Sequence, residues 1–336
     1  MGFPKPLPTE WPDPPDYPEV PLQPDVSPPD RPRPDDDGDE GDIDPLPDFH
    51  RQFYAVTWAV NHACNLKCTH CYDAVAFKRH DLSTIEALSL IDHLAEAQVS
   101  FIAFSGGEAF LRKDLFELME YCQERNISFG ARSNGTRISH NVAQRLKALG
   151  IAVVGVSFDG ATSQTHDAVR GEGAFEEAVS GLKALRAEGI RAQMEVVLSK
   201  QNAHEALDFI ELGKSVDASE VNFSTMAVLG RAVQRAGDAL DHRTWIQLTT
   251  TLREASKTAS IPVTPNCALI GACVANIEPH ITCDGWMTPC YLSAHKLFNV
   301  LETPASQIRT HLTQSRAKFL NVCGREAWTT NRPPIN

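Results

Sequence analysis

Three of the nine cysteines, Cys64, Cys68 and Cys71, fall within eight residues of one another. Five more, Cys267, Cys273, Cys283, Cys290 and Cys323, gather near the C-terminus, and Cys122 stands alone. The odd count and the lack of an apolar export segment argue against a disulfide framework and for metal chemistry. In Cys64-x3-Cys68-x2-Cys71 one short loop can wrap three thiolates around one metal centre. Thiolate suits both zinc and iron–sulfur clusters. If the group is a four-iron cluster, three protein ligands leave one iron open to a chelating small molecule. Spacing alone leaves both metals open.

The elements that must position this loop are legible as a strand-then-helix rhythm from residue 53. Short β-branched or aromatic runs at 53–60, 100–105, 127–133, 152–158, 191–198 and 219–225 read as strands. Helical patterns occupy 84–98, 114–125, 139–149, 174–188 and 203–216, with another at 241–258. Ser83, with Glu86 three residues on, can form a capping box before Leu88, Ile91 and Leu94. Six βα units in succession imply parallel strands with right-handed crossovers. The expected fold is α/β, a partial (β/α)6 TIM-like barrel. In such folds chemistry gathers in the loops after the strands, and there the unusual residues fall: the cysteine loop, then "GGEAFL", "NGT", "DGATSQTHDAVRG" and "SKQN".

The formal charge is −12, but residues 1–48 carry 14 acidic and 3 basic side chains, and 15 of the 22 prolines. Proline removes backbone donors and fixes φ, and the segment has little apolar content to offset its ordering entropy. It reads as a disordered or polyproline-like tail, either a solvated spacer or a docking arm. The rest is near neutral, which argues against nucleic-acid binding. No apolar run reaches membrane-spanning length, and the protein is expected to be cytoplasmic. The expected domains are the tail at 1–48, a barrel at 49–260 and a small cysteine-rich domain at 261–336.

The cysteine loop followed by Tyr72, directly after a first strand, resembles the signature of the radical S-adenosylmethionine (SAM) superfamily. The resemblance implies a 4Fe-4S cluster on Cys64, Cys68 and Cys71 that binds SAM through its open iron. It also implies reductive cleavage of SAM to a 5′-deoxyadenosyl radical, with an electron donor such as flavodoxin or ferredoxin. "FSGGE" is similar to the family's SAM-amine motif, which gives Gly106, Gly107 and Glu108 that role. "SNGT" with Ser133 and Asn134, and "VSFDG" with Ser157 and Asp159, are further expected SAM contacts. Arg170 resembles the arginine that pairs with the SAM carboxylate.

Cys273-x11-Gly285-x4-Cys290 resembles the opening of the SPASM and twitch extensions of this superfamily. By that resemblance Cys267, Cys273, Cys290 and Cys323 would hold a second, auxiliary 4Fe-4S cluster, with Cys283 an alternative to Cys267. Cys283 is otherwise a hydrogen donor to a substrate radical or a small buried hydrophobe. Cys122, on the apolar face of a helix, reads as core, and His62 and His70 flank the cluster loop. Similarity to the branch that modifies peptides implies a ribosomal peptide substrate undergoing epimerisation, dehydrogenation or crosslinking. The alternatives are a carbohydrate or tetrapyrrole substrate, or a noncatalytic metal-binding scaffold.

Overall fold

All six strands and all six helices read from the sequence are present, with ends shifted by a few residues at most. The computed structural model describes residues 54–72, 80–265, 279–289, 291–292 and 296–318, all within the unit Gln52–Asn336. The tail at 1–48 lies outside the described residues, as do Cys267, Cys273, Cys290 and Cys323.

The parallel strands are β1 (Ala55–Ala59), β2 (Phe101–Ser105), β3 (Ser128–Ser133), β4 (Val153–Phe158), β5 (Ala192–Leu198), β6 (Glu220–Thr225) and a short β7 (Val263–Pro265). They lie side by side in chain order, as successive right-handed βα units demand. The crossovers contain α1 (Thr84–Glu96), α2 (Leu115–Glu124), α3 (His140–Ala148), α4 (Ser163–Arg170), α5 (Ala174–Ala187), α6 (Asp208–Ser215) and α7 (His242–Thr258). The sheet does not close: β7 ends it on one side. It is an incomplete barrel, as the βα count implied.

Two features were not legible. The stretch after β4, read as a loop, contains the helix α4, capped by Thr162 and burying His166, Val169 and Arg170. It has few apolar residues, and its burial is carried by polar side chains that satisfy one another. The second is a C-terminal addition: β8 (His280–Ile281) pairs in parallel with β1, and β9 (Trp286–Thr288) and β10 (Phe298–Asn299) continue the sheet antiparallel. The helix α8 (Ala305–Lys318) follows. Strands of two and three residues are too short for periodicity to show. They form because β1 would otherwise leave its second edge unpaired.

The Ser83–Glu86 box is formed. Ser83 Oγ accepts from Glu86 N, and the Glu86 carboxylate accepts from Ser83 N at 2.8 Å. It starts α1 so that Ala87, Leu90, Ile91 and Leu94 face the sheet, where Trp58 and Phe104 are fully buried. Cys122 is part of this core, and burial pushes its thiol pKa up to about 12, so it stays protonated. Among the described residues no helix is long and apolar enough to cross a membrane.

Candidate active site

The loop Asn61–Tyr72 leaves the C-terminal end of β1 without regular structure, so other elements must hold it. The first is the β2 loop, where Gly107 N donates to Asn61 O (3.0 Å) and Glu108 N to Ala63 O (2.8 Å). A β-carbon at Gly107 would sit 2.4 Å from the Ala63 carbonyl oxygen, so only glycine permits this approach. From the β3 loop, Asn134 Nδ2 donates to Asn65 Oδ1 (3.0 Å), and Asn65 Nδ2 donates to Thr136 Oγ1 (2.8 Å). From the end of α4, Val169 O accepts from Thr69 N (2.9 Å).

Cys64, Cys68 and Cys71 line one open cavity with about 1310 Å³ of space between atoms, counting its mouth. Gly106, Gly107, Ser133 and Asn134 line the same space, as do Ser157 and Arg170. Six of the eight residues expected to contact SAM therefore face the cavity that holds the three thiols. Glu108 and Asp159 do not line it. Glu108 is buried, and its carboxylate accepts from Ser133 Oγ and Asn134 N, both at 2.8 Å, and from Phe110 N at 3.2 Å. Burial raises its pKa against the pull of those bonds. Its work here is to tie the β2 loop to the β3 loop.

Asp159 is likewise turned inward. One carboxylate oxygen meets Arg170 Nε and the other approaches His70 Nε2 at 2.8 Å, while its backbone carbonyl accepts from Asn202 Nδ2. Burial alone would raise this carboxyl, but the charges of Arg170 and His70 outweigh it and hold the group below the usual carboxylate range. His70 sits between two of the cysteines, so this network locks the cysteine loop to β4 and α4. His166 packs edge-on against Phe158 and Phe175, and burial, helped by Arg170, lowers its pKa to about 4.

Burial also raises the pKa of Cys64 and Cys68, with Arg170 pulling the other way. A metal would deprotonate both. Three thiols on one loop at the wall of an open cavity are a donor set that iron–sulfur clusters take, so the residues present fit a 4Fe-4S group.

Cys283 occupies the turn between β8 and β9 and is buried. It is not among the residues lining the cavity. Its sulfur groups instead with His62 and Asp81, the three ligand atoms lying within 4.8 Å of one another, and His62 Nδ1 contacts Asp81 Oδ1 at 2.7 Å. A thiol placed there would have to move to meet a substrate radical in the cavity.

Several cavity residues escaped the sequence reading, four of them with polar or aromatic side chains of interest. Arg132 on β3 and Glu195 on β5 enter the lumen by strand alternation. Glu195, a lone acid within the run "AQMEVVL", was the available signal. Tyr291 packs at a tilt against Tyr72 at the cavity wall, their ring centroids 5.4 Å apart. Arg231, just past β6, carried no local signal at all.

Parallel strands in chain order, with a three-thiol loop after the first and glycine, hydroxyl and amide groups after the next three, are the arrangement that the radical SAM resemblance implied. Residues 58–213 match the model of the Radical SAM superfamily, so the chain carries a domain of that superfamily. Among curated proteins it is 36% identical over 189 residues to Fe-coproporphyrin III synthase of Methanosarcina barkeri, covering 55% of this chain and 47% of that one. It is 38% identical over 167 residues to mycofactocin maturase MftC of Mycobacterium ulcerans, covering 49% and 45%. The chain thus spans about half the length of these relatives. Among solved structures, anSMEcpe with bound AdoMet superposes with a TM-score of 0.64 at 18% identity, covering 80% of this chain and 82% of that one. Streptococcus suis SuiB bound to precursor peptide SuiA gives 0.64 at 15% identity, covering 77% and 65%. At these identities the structures speak for the fold alone.

Proposed function

We propose that this chain is a radical SAM enzyme that modifies its substrate by hydrogen abstraction. The observation that carries this reading is the convergence of Cys64, Cys68 and Cys71 with Gly106, Gly107, Ser133 and Asn134 on one cavity. A 4Fe-4S cluster on the three cysteines would supply the electron that cleaves SAM to methionine and a 5′-deoxyadenosyl radical. The chain's own residues bind and orient. Gly106 and Gly107, which line the cavity, would offer backbone carbonyls to the SAM ammonium, while Ser133, Asn134 and Ser157 offer hydrogen bonds to its polar groups. Arg170 faces the SAM carboxylate with its charge shared by Asp159.

The substrate in this reading is a ribosomal peptide or peptide-derived cofactor, supported by the similarity to a mycofactocin maturase. A tetrapyrrole is the second reading, favoured by the equal similarity to an Fe-coproporphyrin III synthase. Cys267, Cys273, Cys290 and Cys323 would hold an auxiliary 4Fe-4S cluster, and a flavodoxin or ferredoxin would supply electrons. Anaerobic reconstitution tests the core of this. Formation of 5′-deoxyadenosine from SAM under reducing conditions is expected, with about eight irons per chain if two 4Fe-4S clusters assemble. Zinc at the sites and no SAM cleavage would mean a scaffold instead.

A further inference from the structure

The cluster loop has one more anchor, and it comes from the far side of the sheet. Arg231 lies 163 residues from Cys68 in sequence, yet its Nε donates to Cys68 O at 2.8 Å. Its backbone N–H donates to Cys71 O at 3.0 Å. One residue therefore grips the carbonyls of two of the three ligand cysteines. The residue before it, Gly230, makes the approach possible. It holds φ at +56°, and a β-carbon there would lie 2.5 Å from both Cys71 O and Tyr72 O.

The charge of Arg231 distinguishes it from the other cations that help hold the loop. Arg170 is neutralised by Asp159, and Arg112, which donates to Val60 O at the loop's start, by Asp114. Among the described residues no carboxylate pairs with the Arg231 guanidinium, which is half-buried on the cavity wall. A fixed, unpaired positive charge in a partly desolvated site acts over several ångströms with little screening. Reducing a 4Fe-4S group adds one negative charge, so a neighbouring cation favours the reduced form, and local net charge is one of the levers that set cluster potentials.

We propose that Arg231 is a positioning residue for the radical SAM cluster. It clamps the Cys68–Cys71 segment to the end of β6, and its charge, which no carboxylate of the described residues pairs, raises the cluster's reduction potential. The inference rests on the reading that Cys64, Cys68 and Cys71 carry that cluster. The expected consequence is a link between the two halves of the cavity: whatever displaces the segment after β6 also changes how readily the cluster takes an electron.

The test is a redox titration of the anaerobically reconstituted full chain, followed by the electron paramagnetic resonance signal of the reduced cluster. It compares a parent that has the native Arg231 with Arg231→Gln and Arg231→Lys, and iron content is measured alongside. To keep the titrated signal to one cluster, all three proteins also carry Cys273→Ala and Cys290→Ala. Arg231→Gln keeps a hydrogen-bond donor but loses the charge. Its ratio of reduced to oxidised cluster at a fixed potential should fall about tenfold, which for a one-electron couple is ~59 mV. Arg231→Lys keeps the charge and should stay near the parent's potential while losing iron faster under a chelator. A purely structural clamp would move iron retention in both variants and the potential in neither. Equal potentials in all three, or equal lowering in both variants, overturns the proposal. An unsubstituted chain that takes up no iron–sulfur cluster overturns the reading of Cys64, Cys68 and Cys71 along with it, so the two failures are told apart.

Discussion

The chain has two cysteine-bearing turns next to β1, and they are built on opposite principles. The loop after β1 displays its thiols: Cys64 is exposed, Cys68 and Cys71 are half-buried, and the holding is done by neighbours' amides, carbonyls and one ion-pair network. The turn between β8 and β9 hides its thiol. Cys283 is buried, and its backbone carbonyl accepts from Leu82 N just ahead of α1. The first turn spends its polar groups on shaping a loop for a ligand, and the second spends them on docking a hairpin. Cysteine spacing does not separate these uses; access to the cavity does.

The largest expected effect comes from exchanging cysteines between the two regions. Cys64→Ala should reduce both SAM cleavage and the spectroscopic signal of the SAM-binding cluster to background. Cys283→Ala should retain SAM cleavage and that signal, as measured on the same reconstituted preparations. Activity lost in both variants would break the distinction.

Next is the network behind the first turn. Asp159→Asn leaves Arg170 buried with its charge unpaired, a change that typically costs about 3–5 kcal/mol. Urea unfolding of the variant should show it. The pH dependence follows with its sign: Asp159 has a depressed pKa in the fold, so its contribution is in place above about pH 4 and drains as the pH falls below that.

His166 acts in a different window. Its pKa is lowered to about 4 in the fold, so between roughly pH 6.5 and 4 the unfolded chain takes the proton and the folded one does not. Stability should fall as the pH drops through that window, by up to about 1.4 kcal/mol per pH unit. His166→Phe should flatten the profile. The smallest effect belongs to the second region: Ser83→Ala removes the cap of α1 beside the hairpin and should cost about 1 kcal/mol in thermal or urea unfolding, with cluster loading unchanged.

What was legible in the sequence was what is local. The Ser83–Glu86 box acts across three residues, and the strands and long helices declare themselves by periodicity within a single window. The spacing of Cys64, Cys68 and Cys71 is equally local. α4 was missed because its burial depends on Asp159, Phe158 and Phe175, none of which lies inside it. Asp159 and Glu108 were picked out as functional residues, but their inward orientation depends on partners from other elements. Arg231 could be connected to the site only once β1 and β6 were placed around the same cavity.

The pairing of β8 with β1 also fixes an order of events in time. β1 launches the cluster loop, yet its second neighbour is encoded some 220 residues later. At roughly 5–20 residues per second of synthesis, that strand waits about 10–45 s for its partner. For that interval β1 is an edge strand with a cysteine loop at its end. Metal loading before the hairpin arrives would therefore meet a more open loop than loading afterwards, which makes the moment of cluster insertion a property of the chain's topology.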